Sequence, residues 1–324
     1  MAKVLGMGNA LVDIMTMLKD DSLLDKFNLP KGSMQLVDRE FSENINNATD
    51  YLEKKIASGG SAANTIHGLA ALGIETAFIG KVGSDPFGRF FSDDMIKNKI
   101  VPILLEGKQA TGKAMALITP DSERTFATYL GAAVELDPSD ITEDLFHGYD
   151  YFHIEGYLVQ NHELIEKAVQ LAKQNGLRIS LDMASYNIVE QNLYFLTRIL
   201  KTYIDIVFAN EEEARAFTGK IPEAAIIEFA GHCEIAIVKT GKNGSLVRKG
   251  SEMHGIQPIA ANSIDTTGAG DLYAAGFIFG LIKGYPLNKC GDLGSLLAGK
   301  TIEVIGPKMD SEKWKQVKRM ISNY

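Results

Sequence analysis

Residues 265–271 read Asp265-Thr266-Thr267-Gly268-Ala269-Gly270-Asp271, and an apolar stretch with helical spacing follows from 270 to 281. Gly268 and Gly270 lack a Cβ, so the backbone there can approach a ligand closely. The free N–H groups of a first helical turn, with the helix dipole behind them, form an anion site. The amides of Gly268, Ala269 and Gly270 are therefore candidates to cradle a phosphoryl-type anion and to stabilise charge as it accumulates. Asp271 follows at once, a carboxylate that accepts hydrogen bonds and can take a proton at neutral pH. Beside a bound phosphate it would suit a general base facing the group being transferred. The same residues also fit a Gly-rich turn into a helix with a favourable acid in its first turn. They form neither a Gly-Lys-Ser/Thr phosphate loop nor a GxGxxG turn, because Asp271-Leu272-Tyr273 follows Gly270.

These groups need elements to hold them. Short apolar runs at 3–7, 76–79, 151–154, 178–181, 204–208 and 235–239 read as buried strands bounded by Gly, Asp or Asn. Helical spacing appears between them, at 61–72, 162–174, 211–217 and 270–281. Strands alternating with helices predict βαβ units, hence a mostly parallel sheet with helices on both faces. Two stretches break the rhythm. Residues 34–37 are strand-like, and 111–119 followed by 124–130 reads as a hairpin around Pro120-Asp121-Ser122-Glu123, which is good turn chemistry. Neither is followed at once by a crossover helix. They predict a small antiparallel sheet projecting as a lid, with lid segments at about 10–38 and 101–132 inserted in one α/β body. Residues 311–321, with Trp314, read as an amphipathic C-terminal helix.

Composition narrows the partners. The chain has 324 residues, with 33 Lys+Arg against 41 Asp+Glu, a net charge of −8 and no basic block. A general nucleic-acid or acidic-membrane binder is excluded on that ground. Cys233 and Cys290 lie far apart, without CxxC or a Cys/His cluster, so no disulfide framework or zinc site is expected. The six His residues include no HExxH; His153, ending an apolar strand, reads as a satisfied core residue. With no apolar run approaching a membrane span and no long apolar leader near the N-terminus, the chain reads as cytoplasmic.

The motif at 265–271 resembles the C-terminal signature D-T-x-G-A-G-D of the ribokinase or PfkB family of small-molecule kinases. The family's other signature, Gly-Gly followed by Asn near a helix start, is matched by Ser58-Gly59-Gly60-Ser61-Ala62-Ala63-Asn64. Leu72-Gly73 and Ile79-Gly80-Lys81-Val82-Gly83-Ser84-Asp85-Pro86-Phe87-Gly88 follow at family-like spacing. The opening Gly6-Met7-Gly8-Asn9-Ala10-Leu11-Val12-Asp13-Ile14 is similar to the adenosine kinase group more than to ribokinases or fructokinases. The resemblance implies a ribokinase-like α/β/α body with a β-sheet lid, and ATP-dependent phosphorylation of a hydroxymethyl group.

It also implies roles. Asp271 would be the base and Gly268, Ala269 and Gly270 the anion hole. Asn9 and Asp13 would meet the sugar hydroxyls, helped by Gly59, Gly60 and Asn64. Asn210-Glu211-Glu212-Glu213 matches the family's N-x-x-E motif, so Asn210 and Glu213 would hold Mg²⁺ largely through waters and phosphate. Thr240-Gly241-Lys242-Asn243-Gly244 is similar to the family's nucleotide loop with its second half compressed, which places Thr240, Gly241 and Gly244 beside ATP with Asp265 and Thr266. A monovalent cation such as K⁺ near Asp265 is a further expectation. Arg124 falls where related kinases carry a lid arginine that reaches the phosphates; it also fits a solvated hairpin charge. Met34, Leu36, Phe126 and Tyr157 are candidates to pack on a base, or to be ordinary core. Animal adenosine kinases have paired aromatics where this chain has Tyr157-Leu158.

Three readings compete. The first is a nucleoside kinase, giving AMP if adenosine is the acceptor. The second is a sugar kinase of the same family, acting on ribose, fructose or a keto-deoxy sugar acid. The third is a non-catalytic binding protein on the same fold, against which the intact motif with Asp271 counts. The resemblance allows a monomer or a homodimer through the lid.

Overall fold

The computed structural model describes residues 2–121 and 123–322. Ser122 of the expected turn lies outside the described residues. In chain order the strands are β1 (Lys3–Met7), β2 (Leu11–Met17), β3 (Met34–Leu36), β4 (Lys54–Gly59), β5 (Glu75–Gly83), β6 (Ile100–Gly107), β7 (Gly112–Ile118) and β8 (Arg124–Tyr129). They continue with β9 (Tyr151–Glu155), β10 (Arg178–Asp182), β11 (Ile206–Asn210), β12 (Ile235–Lys239), β13 (Ser245–Lys249) and β14 (Glu252–Ile256). The first six helices are α1 (Ser22–Lys26), α2 (Arg39–Ala48), α3 (Ser61–Ala71), α4 (Pro86–Lys97), α5 (His162–Gln174) and α6 (Tyr186–Gln191). The rest are α7 (Leu193–Thr202), α8 (Glu211–Thr218), α9 (Pro222–Phe229), α10 (Ala269–Ile282), α11 (Leu287–Thr301) and α12 (Ser311–Ile321).

Nine strands form the main sheet in the order β14-β13-β12-β11-β10-β9-β1-β5-β6. From β12 to β6 every pairing is parallel; β13 and β14 close that edge as antiparallel strands. Successive side chains of a strand point to opposite faces. Val207 and Ala209 join the core under α5, α7, α8 and α9, whereas Ile206 and Phe208 join the core under α3, α10, α11 and α12. The strands therefore read as unbroken apolar runs, as expected for a sheet buried on both faces. Helix α10 is apolar all round, and it is enclosed between α3 and α11.

The smaller sheet has the order β3-β8-β7-β2-β4. It corrects the expected lid in three respects. It is mixed, since β2 pairs parallel to β7 and β3 parallel to β8, while β7–β8 and β2–β4 are antiparallel. It includes β4, whose Lys54-Lys55-Ile56 start carries little strand signal. And it excludes residues 100–107, which pair with β5 at the edge of the main sheet, where Pro102 is tolerated. One face of this sheet is covered by α1 and α2 around Leu24, Ile45, Met115 and Leu117. The other face looks onto the main body. No helix of the described residues is long and apolar enough to cross a membrane.

Candidate active site

Four neighbouring parallel strands end on polar side chains: Glu155 on β9, Asp182 on β10, Asn210 on β11 and Lys239 on β12. In an open α/β sheet the crevice beyond these carboxyl ends is where ligands bind. Here it lies against the smaller sheet, the turn 58–60 and the start of α10.

Gly268 takes a left-handed conformation, φ +74°, and so brings the chain into α10. Ala269 N donates to Thr266 O at 3.2 Å and so closes the turn into the helix. Among the described residues the amides of Gly268, Gly270 and Asp271 donate to no carbonyl, so these three are the free donors at the helix start. Asp271 is held on both oxygens. Ser61 Oγ donates to its Oδ1 at 2.7 Å and Asn64 Nδ2 to its Oδ2 at 2.9 Å. Burial raises the Asp271 pKa to about 6, against the opposing effect of these donors.

The acceptor side is built on β2, β4 and α3. Asp13 is half-buried, and a Cβ at Gly59 would overlap its carboxylate and displace it. Burial raises the Asp13 pKa to about 7; Lys308 and Arg124 favour its charged form, and Asp271 opposes it. Asn9 donates from its backbone N (2.9 Å) and its Nδ2 (2.6 Å) to Glu155 Oε1, while Ala62 N donates to Glu155 Oε2 at 3.0 Å. Glu155 is buried, which lifts its pKa to about 7. Asn64 Oδ1 is buried without a partner, a free acceptor beside Asp271.

A cavity of about 610 Å³ opens from this polar end. Asn9, Gly60, Ser61 and Glu155 line it, and so do Met34, Leu36 and Tyr157, as the sequence suggested. Met34 and Leu36 are exposed on the edge strand β3. Phe126 does not line the cavity: it packs on Met15, Ala116 and Ile118, on the body-facing side of the smaller sheet.

Arg124 spans from β8 to the 265–271 loop, where its Nη1 pairs with Asp265 and donates to Thr267 Oγ1 at 3.1 Å. Asp265 also accepts from Thr267 N at 3.0 Å and Gly306 N at 2.6 Å. Asp265 therefore carries three donors, an arginine among them. Thr266 is exposed beside it.

On the nucleotide side, Asn210 and Glu213 lock each other at the start of α8. Asn210 N and Nδ2 each donate to Glu213 at 2.7 Å, and Glu213 N donates back to Asn210 Oδ1 at 2.8 Å, a capping box. Burial, with Asp182 nearby, raises the Glu213 pKa to about 7. Lys239 Nζ donates to Asp182 Oδ2 at 2.8 Å; the fields of Asp182, Glu213 and Asp271 outweigh its burial and raise its pKa. Thr240 N donates to Gly244 O at 2.8 Å, which closes the turn that exposes Gly241; Gly244 itself lies against Ile256 O and Pro258. Among the described residues no group of three or more His, Cys, Asp or Glu could cage a metal. The donors around Lys239 are carboxylates and an amide oxygen, three acids to one ammonium. That surplus suits Mg²⁺ held through water and phosphate.

Sequence reasoning missed Glu155, Asp182, Lys239 and Ser61. The available signal was the charged residue that ends each buried strand. His153, by contrast, is a core residue, its Nδ1 paired with Ser180 Oγ at 2.9 Å and its pKa lowered to about 4 by burial.

Free helix-start amides facing a doubly held carboxylate, at the carboxyl ends of a parallel sheet, are the arrangement of a small-molecule kinase. The chain belongs to the pfkB family of carbohydrate kinases, whose profile matches residues 39–314. Its fold is ribokinase-like, and kinases of this family use ATP and Mg²⁺ with a small-molecule acceptor. The adenosine kinase of Saccharomyces cerevisiae is 31% identical, covering 96% of this chain and 98% of the yeast protein. A probable sugar kinase from Rhizobium etli is 34% identical with a TM-score of 0.89, covering 98% of each chain. The adenosine kinase of Sinorhizobium meliloti is 34% identical with a TM-score of 0.88, covering 98% of this chain and 99% of that one.

Proposed function

We propose that the protein transfers the γ-phosphoryl group of ATP to the primary, 5′-type hydroxyl of a nucleoside, adenosine being the leading acceptor. The observation that carries this reading is the two-sided character of the 610 Å³ cavity. One end offers polar groups, Asn9, Ser61 and Glu155; the wall beyond combines apolar Leu11, Leu36, Leu136, Tyr157 and Ile188 with a polar margin that includes Gln160, Asn161, Ser185, Asn187 and Gln191. A free sugar would occupy the polar end and leave the apolar surfaces beyond it uncovered. A nucleoside adds a flat base whose faces suit Leu36, Leu136, Tyr157 and Ile188 and whose polar edge suits the amide and hydroxyl side chains at the margin. The adenosine kinase relatives support it; the sugar kinase relative supports the second reading, a free sugar held at the same polar end.

In this reading Asp13 and Asn9 hold the ribose hydroxyls, and the hydroxymethyl group points at Asp271. Asp271 accepts the hydroxyl proton as the oxygen attacks the γ-phosphorus, and the bond from that phosphorus to the β–γ bridging oxygen breaks, releasing ADP. Ser61 and Asn64 fix the carboxylate in place, so little reorganisation is needed at the moment of transfer. The amides of Gly268, Gly270 and Asp271 receive the charge on the transferring group. Thr240, Gly241 and Gly244 border the nucleotide, with Lys239 between its phosphates and Asp182. Mg²⁺, when bound, screens the phosphate charge; Asn210, Glu213 and Asp182 would hold it through its waters. Arg124 draws the smaller sheet, as a lid, down onto the phosphate loop.

A screen of nucleosides and free sugars for ATP consumption, with the products located by phosphorus NMR, tests the proposal. A 5′-monophosphate as the preferred product supports it. Turnover of a free sugar, with none of adenosine, overturns it in favour of the second reading.

A further inference from the structure

Three consecutive residues, Gly306-Pro307-Lys308, connect α11 to α12 and touch both substrate loops. Gly306 N donates to Asp265 Oδ2 at 2.6 Å, and its Cα side faces Met15 of β2. Pro307 packs directly on Gly268, so that a Cβ at Gly268 would overlap the proline ring. Lys308 Nζ donates to Asp94 Oδ2 at 2.7 Å, to His67 Nε2 at 3.0 Å and to Ser58 Oγ. Ser58 donates in turn to Asp94 and stands immediately before Gly59-Gly60. His67 stays neutral, its pKa pushed down to about 3 by burial and by Lys308, which leaves Nε2 a lone pair for the ammonium. Four side chains thus converge from β4, α3, α4 and the connection.

A largely buried ammonium is costly unless it is fully bonded, and an apolar residue would anchor a connecting segment at lower cost. What the ammonium adds here is a direct hold on the acceptor turn, together with a positive charge acting on Asp13. We propose that Gly306-Pro307-Lys308 is a strap that sets the spacing between the phosphate loop 265–271 and the acceptor turn 58–60, with Lys308 as a positioning residue for the acceptor. The inference rests on the roles given above to these two loops, and not on the acceptor being a nucleoside.

The test is steady-state kinetics of Lys308→Met, Lys308→Arg and Ser58→Ala with whichever acceptor the wild-type enzyme phosphorylates. Lys308→Met should raise the acceptor KM about tenfold while the ATP KM stays within about twofold, since a small displacement of one substrate is enough for such a loss. Lys308→Arg should restore most of the acceptor KM. Ser58→Ala keeps the Lys308–Asp94 pair and should reproduce the rise. An unchanged acceptor KM in Ser58→Ala overturns the proposal even if Lys308→Met does not fold. So does a joint rise of both KM values that follows only a fall in Tm.

Discussion

Asn64 Nδ2 donates to Asp271 Oδ2 at 2.9 Å, so the Gly-Gly-Asn segment directly holds the carboxylate at the start of α10. The two sequence motifs are 207 residues apart and form one site. In the proposed mechanism, substrate positioning and proton transfer therefore share a hydrogen bond, and changes in either motif should be felt in the other.

The acid limb of kcat/KM should report Asp271 together with Asp13, whose pKa is raised to about 7. The Asp271 pKa, raised by burial to about 6, means that the base loses its free carboxylate as pH falls through 6. Activity should begin to fall as pH drops through about 7, where Asp13 takes up its proton, and fall more steeply, towards about a hundredfold per unit, below about 6. A rate profile flat down to pH 5 would contradict the assignment.

The Asp271 shift also fixes the sign of a stability effect. A carboxyl whose folded pKa lies above its unfolded value binds more protons in the native state. Its contribution is fully present below about pH 4 and is lost as pH rises through about 6. Asp271→Asn removes this loss, so the variant should gain Tm over wild type by several degrees more at pH 8 than at pH 4. Thermal scans at the two pH values check it; an equal difference at both would refute it.

Gly59→Ala places a Cβ in the Asp13 carboxylate. The expected result is an acceptor KM raised about tenfold or more, with ATP binding little changed. Comparable loss for both substrates would show that the turn is only structural.

Arg124 should couple the lid to the phosphate loop. In Arg124→Ala, amide exchange in Gly112–Ile118 and Arg124–Tyr129 should speed up, and kcat should fall by roughly tenfold. Unchanged exchange in both strands would remove Arg124 as the latch.

Much of the main body was legible because apolar runs of five or so residues, each ended by a polar one, mark strands buried on both faces, as in β12, while helical spacing marks α5, with Leu164, Ile165, Ala168, Val169 and Ala172 on its buried face. The smaller sheet was only partly so. Lys54-Lys55-Ile56 has no alternation to announce β4, which is set by pairing with β2, a non-local contact. Asp271, Asn9 and Asp13 could be found because motifs carry them. Glu155 and Lys239 could not, since a single charged residue at a strand end looks like a boundary until the parallel register places it beside Asp182. The turn bond of Ala269 was not legible either, because whether a turn amide is free depends on the carbonyl that happens to face it.

The most direct test of the account is the kinetic and binding behaviour of Asp271→Asn. The amide keeps the shape of the carboxylate but cannot accept the acceptor's proton. The account predicts that kcat falls about 10³-fold, within the range typical of a lost general base, while ATP affinity measured by calorimetry stays within about threefold. Turnover within tenfold of wild type would contradict it.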